Sequence, residues 1–553
     1  MAVACAPVIC ALSRGEYLWT DVAEIGDRAL VARSPSELWS AFRHGIDGHY
    51  YRPAVFALHS LNFALFGDSA LAFRAVNLLL HVLNALLVYR LVREVLGREA
   101  PALATAALFA VHPLAITLIA WASARTDLIA LSCSLGFFLA ARRWVILGSL
   151  PWLGLAGAVL VVGLAAKETC AATLIVTVGL LPFLWAKRRR WTGLVVLQAV
   201  IVLAWFVWRQ QVSTNPVGRP GDLDVLARIA VAGSMHLEYA RQLVVPYRLT
   251  VCDGTRVPAH PGPWLAAVAL ALAAVVLLLE RARRRDPRLL VAALWAVAFL
   301  LPTSGLTPLK HVRADRYLYA ALPAMIALAV TAADGLVRRL GHVRIGAALF
   351  AIAYVYLAGS LMMRASRFRS NEALWTYETR RSEFCLEGWA YRSRQAYVES
   401  RFDDALAYSL RVPATNPPDV LAFVNREEVL YYRGLIQSAR GDAQTARAIF
   451  DDLLARGDAR TLRAEAAYEL AVMEFQRGNF PAVERFLTLS LGIGLGDASR
   501  GDAVLLRSYA NLRLGRIEDC RRDFEEFAAV EARPGETRTR ETLKKQIQAA
   551  LGP

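Results

Sequence analysis

Residues 150–190 read LPWLGLAGAVLVVGLAAKETCAATLIVTVGLLPFLWAKRRR. Two apolar runs, 150–166 and 168–186, are each long enough to cross the roughly 30 Å hydrocarbon core of a bilayer. Lys167 and Glu168 stand where the two runs meet, and the basic sequence KRRR follows the second run. This stretch predicts two membrane-spanning helices with a charged turn between them and an arginine-rich loop after them.

The same pattern repeats from the N-terminal region to residue 364. The predicted spans lie near 74–96, 101–120, 125–146, 150–166, 168–186, 191–210, 263–281, 288–303, 317–339 and 343–364. Met1–Leu12 is apolar but short, and we interpret it as the end of a first span, which brings the total to eleven. Val55–Phe66 is also short and is typical of an interfacial or re-entrant helix. With 56% hydrophobic residues, the chain is neither a purely soluble enzyme nor a single-span receptor.

Basic clusters indicate how the spans are oriented. They fall at every second turn, and short loops rich in Arg and Lys face the cytoplasm. The clusters are Arg90/Arg93/Arg98, Arg142/Arg143, Lys187–Arg190, Arg281–Arg288 and Arg338/Arg339/Arg344. The chain is therefore predicted to start inside and to place its C-terminal part outside. Two long outward loops follow from this topology, at about 13–53 and 211–262.

The overall charge carries less information than its distribution. The net charge is +16, but 58 of the 63 basic residues are Arg, which is typical of a GC-rich genome. We therefore expect no nucleic-acid partner. The seven cysteines are scattered without CxxC spacing, so they predict neither a disulfide framework nor a metal site.

Beyond residue 366 the pattern changes to short paired helices. Gly441, Gly478 and Gly515 are each 37 residues apart, and small and aromatic residues around them recur at the spacing of a tetratricopeptide repeat. The fold class is therefore all-α, with a polytopic membrane domain over 1–366 and a repeat domain over 367–553. An irregular helical bundle is the alternative. A repeat solenoid typically binds extended peptides or partner proteins.

Ionisable residues gather at the predicted outer ends of the spans. They are Asp21 and Glu24 in the first loop, Tyr51 and Arg52 at its end, His112, Arg125 and Asp127, Lys167 and Glu168, and His311, Asp315 and Arg316. Each group alone has a structural explanation: an ion pair at a short turn for Lys167 and Glu168, a helix-end pair for Arg125 and Asp127, and a kink for His112-Pro113. Charges near hydrocarbon are costly and usually functional, so their convergence predicts one shared polar site.

The residue types suit a charged lipid substrate. Arginine and lysine neutralise phosphate or diphosphate groups, and a carboxylate can act as general base for a hydroxyl acceptor. Asp21 and Glu24 are three residues apart and share a face if that stretch is helical. No HExxH, GxSxG or P-loop motif is present, so nucleotide hydrolysis and zinc proteolysis have no support. No metal site is predicted, although a divalent ion requirement stays open.

The motifs resemble a known family. They are Trp19-Thr20-Asp21, Tyr51-Arg52-Pro53, Asn77…His81…Asn84, Phe109…His112-Pro113, Arg125-Thr126-Asp127-Leu128, Lys167-Glu168 and Asp315-Arg316-Tyr317-Leu318-Tyr319. Their order, followed by a repeat domain, resembles the transmembrane and tetratricopeptide-repeat-containing O-mannosyltransferases. More broadly it resembles the GT-C glycosyltransferases, which use polyprenyl-phosphate sugars.

The resemblance implies an inverting transfer of mannose or another hexose to a Ser or Thr hydroxyl of an exported protein. Asp21 is the candidate base, with Glu24 as the other possibility, and the remaining residues of the polar site are expected to bind the donor phosphate and sugar. The partners implied are the lipid-linked donor, membrane lipid and an acceptor protein held by the repeats. A bacterial inner membrane, with the repeats in the periplasm, is the expected location.

The sequence departs from the family pattern at two places, and two alternative functions stay open. The family has two acidic residues where this chain has Thr20 and Asp21, and an acidic residue where Thr117 stands. One alternative is a GT-C-like transferase or ligase that acts on lipid or cell-envelope glycan. The other is a non-catalytic membrane scaffold that recruits proteins through its repeats.

Overall fold

The computed structural model describes most of the chain and divides it into two compact units. The described residues are 16–26, 30–32, 34–44, 51–181, 188–212, 223–246, 249–285, 287–306, 309, 311–530 and 538–551. Unit 1 comprises residues 1–385 and 416–423, and unit 2 comprises residues 386–415 and 424–553. The predicted first span, Met1–Leu12, lies outside the described residues.

Unit 1 consists mainly of apolar helices. In chain order they are α1 (Pro35–His44), α2 (Pro53–Phe66), α3 (Ala70–Leu96), α4 (Glu99–Ala110), α5 (Ala115–Ala120), α6 (Arg125–Leu147), α7 (Leu150–Ala166), α8 (Ala172–Leu180), α9 (Arg188–Val212), α10 (Val225–Val244), α11 (Pro261–Arg285), α12 (Pro287–Leu300), α13 (Leu322–Leu340), α14 (Val343–Ala365) and α15 (Asn371–Arg381). A π-helical turn covers Val22–Gly26, and 3-10 turns cover Ala122–Ala124, Glu168–Ala171, Leu301–Thr303, Asp315–Leu318 and Ser366–Phe368.

Among the described residues, four helices are long and apolar enough to cross a membrane. They are Ala70–Leu96, Ala122–Leu147, Arg188–Val212 and Val343–Phe368. Shorter apolar helices occupy the predicted spans near 101–120, 150–166, 168–186, 263–281 and 288–303. The prediction of a mostly helical chain with membrane helices is confirmed, whereas the count of eleven spans stays a prediction.

One predicted span is interrupted. The span expected over 101–120 ends as helix α4 at Ala110 and resumes as α5 at Ala115. Pro113 lies in the gap, and its ring and missing N–H do not fit a continuous helix. The break and the end of α5 leave carbonyl groups without helical partners, and buried polar side chains of α3 bind them. His81 contacts the Ala110 carbonyl at 3.1 Å, and the Asn77 amide donates to the Leu118 carbonyl at 3.0 Å.

A small sheet adds residues from late in the chain to unit 1. Strand β1 (Thr255–Arg256) pairs antiparallel with β2 (Val420–Leu421), with Thr255 opposite Leu421. Helix α15 also belongs to unit 1, because the Asn371 side chain accepts from the Trp19 N–H at 2.8 Å. The boundary expected at 366 therefore falls inside this unit, just after α14.

Unit 2 is a series of helical hairpins. Its helices are α16 (Leu386–Val398), α17 (Phe402–Ser409), α18 (Arg426–Ala439), α19 (Ala443–Arg456), α20 (Arg460–Gln476), α21 (Phe480–Ile493), α22 (Asp497–Arg513), α23 (Ile517–Val530) and α24 (Arg538–Leu551). Gly441, Gly478 and Gly515 sit at successive hairpin turns with positive φ, a conformation that glycine adopts without strain.

Equivalent contacts recur along these hairpins. The Ser393 hydroxyl donates to the Ala405 carbonyl and the Ser508 hydroxyl to the Cys520 carbonyl, both at 2.8 Å and both twelve residues along the chain. These small side chains let the second helix of a hairpin approach the first. The pattern agrees with a repeat architecture, and the assignment to tetratricopeptide repeats stays a prediction.

Candidate functional site

Asp21 anchors the first loop to the segment that precedes α6. Its carboxylate is fully buried and accepts the N–H groups of Ala122 at 2.9 Å and Ser123 at 2.8 Å. The Leu18 N–H donates to the same carboxylate at 3.2 Å. Burial is the main cause that raises the pKa of Asp21 to about 7, and these hydrogen bonds only partly oppose it.

Glu24 lies in the π-helical turn that follows Asp21. Its side chain is partly exposed, and its negative charge contributes to the raised pKa of Asp21. Thr20, where the resemblance led us to expect an acidic residue, accepts a hydrogen bond from the Trp121 ring N–H at 3.3 Å. The two carboxylates of this loop are therefore close together but differ in their access to solvent.

An aromatic cluster surrounds Arg316. The Trp19 ring stacks on Trp121 with centroids 4.5 Å apart, and Trp375 packs edge-on against Trp19. The Arg316 guanidinium lies 5.3 Å from the Trp121 ring and 5.1 Å from the Tyr317 ring. Trp19 has a φ of 54°, which is costly for a bulky residue and is typical of functional sites.

Lys167 forms a buried ion pair with Asp127. The Lys167 Nζ lies 2.6 Å from Oδ1 of Asp127, and both side chains are about nine-tenths enclosed, with 11% and 7% exposed. Arg52 and Arg316 are near enough for their charges to act on the Lys167 ammonium. The turn after α7, the start of α6 and the 315–318 turn thus contribute to one charged cluster.

Glu168 faces the other side of the same turn. Its carboxylate is 3.0 Å from the Arg209 guanidinium and 3.7 Å from that of Arg52. Tyr51 lies beside this pair, and its hydroxyl accepts from the Trp208 ring N–H at 2.7 Å. About a quarter of each side chain in this ion-pair group is exposed, so the group forms the accessible edge of the cluster.

The charges of this cluster do not balance. Four cationic groups lie together with two carboxylates, so these six described residues carry an excess of two positive charges. The cations are Arg52, Lys167, Arg209 and Arg316, and the carboxylates are Asp127 and Glu168. A phosphate group has the charge and the acceptor oxygens to compensate such an excess.

Four of the predicted residues have other surroundings. The Arg125 guanidinium is fully buried over the Phe73 ring at 4.8 Å and donates to the Leu58 carbonyl, an arrangement that favours a packing role. Asp315 pairs with Arg364. His112 contacts the Leu243 carbonyl at 3.4 Å, and His311 packs edge-on against Trp19. Their predicted contacts with the donor stay predictions.

Two residues of the site, Arg209 and Arg364, were not predicted from the sequence. Arg209 and Arg364 each lie at the end of an apolar helix that the predicted topology places on the same side as the site, which is the signal that could have identified them. Thr117 donates to Oδ2 of Asp315 at 3.0 Å. A hydroxyl is a suitable partner there, whereas an acidic side chain would repel Asp315.

Comparison with known proteins shows that this chain is similar to protein mannosyltransferases. The family model described as dolichyl-phosphate-mannose-protein mannosyltransferase matches residues 51–208. The protein O-mannosyl-transferase TMTC1 of Mus musculus is 32% identical over 140 residues, which is 24% of this chain and 15% of that protein. The chain therefore covers only a small part of this curated relative. The predicted resemblance to the transmembrane and tetratricopeptide-repeat-containing O-mannosyltransferases is confirmed.

Proposed function

We propose that this protein is a membrane-embedded glycosyltransferase that moves mannose or a related hexose from a polyprenyl-phosphate carrier to a Ser or Thr hydroxyl. One observation carries the proposal. The stretch that matches the mannosyltransferase family, 51–208, contributes Arg52, Lys167 and Arg209 to a cluster with excess positive charge. The family description names a lipid-linked sugar, and the cluster has the chemistry that binds its phosphate.

The proposed reaction is a single displacement. The acceptor hydroxyl attacks the anomeric carbon while the bond between that carbon and the phosphate oxygen breaks. The lipid phosphate leaves with the bonding electrons, and a carboxylate takes the hydroxyl proton. Lys167 and Arg52 stabilise the charge that develops on the leaving phosphate, and preorganised charges of this kind supply large rate enhancements. The lipid-linked sugar is a substrate, so the reaction needs no organic cofactor.

The two carboxylates of the first loop have different proposed roles. A general base must come within hydrogen-bond distance of the proton that it removes. Asp21 is fully buried with both oxygens occupied by N–H groups, whereas Glu24 is partly exposed. We therefore assign Glu24 as the base and Asp21 as the residue that positions the loop. The sequence favoured Asp21 as the general base, and the proposal instead gives this role to Glu24.

Unit 2 is proposed to hold the acceptor. Its hairpins carry the 37-residue glycine spacing of the predicted repeats, and such arrays bind extended chains. The topology of eleven spans, with unit 2 outside the cytoplasm of a bacterial inner membrane, belongs to the same proposal. A charged cluster that binds a lipid-linked donor and a domain that binds a peptide are the two features that modification of an exported protein would need.

Purified protein in lipid nanodiscs tests the function directly. Radiolabelled polyprenyl-phosphate mannose is supplied with either a Ser/Thr-rich peptide or a lipid extract, and products are identified by mass spectrometry. Label in the peptide supports the proposal, and label only in lipid supports transfer to an envelope glycan instead. Absence of transfer, together with absence of donor binding, supports the scaffold alternative. A parallel reaction with a chelator determines whether a divalent ion is required.

A further inference from the structure

The first helices of the hairpins in unit 2 share a face rich in tyrosine. Tyr397 of α16 and Tyr432 of α18 have ring centroids 6.0 Å apart, and Tyr431 lies 5.7 Å from Tyr432. On the next first helix, α20, Tyr468 is partly buried close to acidic side chains. These residues, with Glu465 and Glu469 of α20, form a surface that we call the acidic tyrosine face.

Glu465 and Glu469 lie at its centre, one helical turn apart. The Tyr431 hydroxyl donates to Glu469 at 3.3 Å, and the Ser499 hydroxyl donates to Glu465 at 3.2 Å. Both contacts connect neighbouring hairpins, from α18 to α20 and from α20 to α22. Both carboxylates are partly buried, and their mutual repulsion adds to the cost of burial.

The flanking acids of the same face have ion-pair partners. Glu428 is 3.7 Å from the guanidinium of Arg394, and Asp502 is 3.5 Å from that of Arg540. No ion pair involves Glu465 or Glu469 within residues 386–530 and 538–551. The hydroxyl groups that contact them are neutral, so two partly buried carboxyl groups have no cationic partner among these residues. Burial raises the pKa of Glu469 to about 7 and raises that of Glu465 as well, so a bound cation would favour their ionised forms.

Uncompensated carboxylates destabilise the unit, because a buried charge without a partner is costly. Glutamine in either position would keep a hydrogen bond to Tyr431 or Ser499 without the charge. Tyrosine rings attract cations, and on this face the Arg394 guanidinium lies over the Tyr432 ring at 5.5 Å from its centroid. Carboxylates and aromatic rings together are the two groups that bind a Lys or Arg side chain, and neither group suits an acidic or wholly apolar ligand.

We propose that the acidic tyrosine face binds an extended, lysine- or arginine-containing polypeptide segment. One basic side chain of that segment lies between Glu465 and Glu469 against the tyrosine rings, and the tyrosine hydroxyls contact its backbone. This inference rests on the proposed role of unit 2 in holding the acceptor and specifies the acceptor's charge.

Peptide binding tests the inference without any donor, so its outcome does not depend on transfer activity. A fluorescent Ser/Thr/Pro-rich peptide with three lysines is titrated into the full-length protein in nanodiscs of neutral lipid. A matched peptide carries glutamate in place of lysine. We expect the lysine peptide to bind at least about tenfold more tightly, and this preference to weaken in high salt.

Two variants localise the interaction. Glu465→Gln with Glu469→Gln removes both charges and is expected to abolish the preference for the lysine peptide. Glu525→Gln removes an exposed charge of α23 and is expected to leave binding unchanged. Equal binding of the two peptides by the wild type, or an unchanged preference in the double variant, would overturn the inference. Neutral substitutions relieve repulsion in the folded state, so thermal stability should be retained and misfolding does not confuse the result.

Discussion

Charged residues lie at both ends of the helices of unit 1, and the two groups differ in how far they are exposed. At the arginine end, defined by Arg142, Arg190 and Arg288, the side chains are partly exposed and contact acids or helix carbonyls. Arg142 is 43% exposed and lies 3.0 Å from Glu94, and Arg288 donates to the Leu96 carbonyl at 2.8 Å. At the site end, defined by Asp21, the Lys167–Asp127 pair and the Arg52–Glu168–Arg209 group, the central charges are enclosed.

We interpret the exposed charges as those that orient the helices and the enclosed charges as those proposed to bind substrate. Exposed ion pairs contribute about 0–1 kcal/mol to stability, so they tolerate change, and short loops need only enough of them to set orientation. Enclosed ion pairs cost desolvation energy that their attraction barely repays. Stability alone does not explain why the site end keeps its charges, whereas the proposed recognition of an anionic substrate would explain it.

The largest expected effect comes from the buried pair at the site end. Lys167→Met removes the ammonium and leaves Asp127 buried without its cation, which should cost about 3–5 kcal/mol of stability. Transfer should fall by a factor of about 100 or more, as is typical when one charge-stabilising donor is lost. The variant is measured for donor-dependent transfer and for thermal unfolding.

A double variant distinguishes catalysis from packing. Lys167→Met with Asp127→Asn removes both charges, so most of the lost stability should return. The transfer rate should stay low, because the phosphate still lacks its cation. Recovery of both stability and activity in the double variant would mean that the pair only holds the helices together.

Substitutions in the first loop should have a smaller effect on stability, and they separate the roles of its two carboxylates. Glu24→Gln should lower the transfer rate about 100-fold or more with little change in donor KM, since the amide cannot accept the hydroxyl proton. Asp21→Asn should weaken the contacts with Ala122 and Ser123, because one side of the amide presents hydrogens to an N–H group. It should cost about 1–3 kcal/mol of stability as well as activity. Full activity of the Glu24 variant would return the role of base to Asp21.

Proton binding to Asp21 should have opposite effects on rate and stability. Its pKa in the folded protein is about 7, above the ordinary value of 3.8, so the folded state retains this proton at pH values where the unfolded chain has lost it. Folding stability from this group is therefore greatest below about pH 4 and decreases as the pH rises to about 7. The transfer rate should instead increase through about pH 7, since the ionised carboxylate holds the loop through both N–H groups.

The transfer rate and the melting temperature of the wild type and of Asp21→Asn, each measured as a function of pH, test these two opposite pH dependences. The variant lacks the titrating group, so its melting temperature should depend less on pH between about 4 and 7. Its rate profile should also lose the component near pH 7. Identical profiles for the two proteins would show that Asp21 does not titrate in this range.

The positions of the helices could be predicted from the sequence, because long apolar runs and basic loops leave few alternatives. The pairing of the charges could not. Sequence adjacency suggested Lys167 with Glu168 and Arg125 with Asp127, whereas Lys167 pairs with Asp127. Neighbouring residues at a helix end point in different directions, so their partners come from other helices. Only the folded arrangement identifies these partners.

The break in the span over 101–120 shows the same limit. An apolar run predicts a continuous helix, and Pro113 indicated only a kink. The interruption is stabilised by Asn77 and His81 from α3, which bind the carbonyls around it. Polar residues inside an apolar helix were a visible signal, but their acceptors lie about 30–45 residues away in the chain.

The smallest effect is expected from a matched pair of arginine substitutions, one at each end. Arg52→Gln removes a partly exposed cation beside Glu168, and Arg142→Gln removes one beside Glu94. Both lose one surface ion pair, so each should change stability by less than about 1 kcal/mol. Arg52→Gln should nevertheless raise the donor KM about tenfold, because it lowers the net positive charge of the cluster that is proposed to bind the phosphate. Arg142→Gln should leave the donor KM unchanged. Similar donor KM values for the two variants would mean that the ends do not differ in function, and that the excess charge at the site end serves orientation as it does at the arginine end.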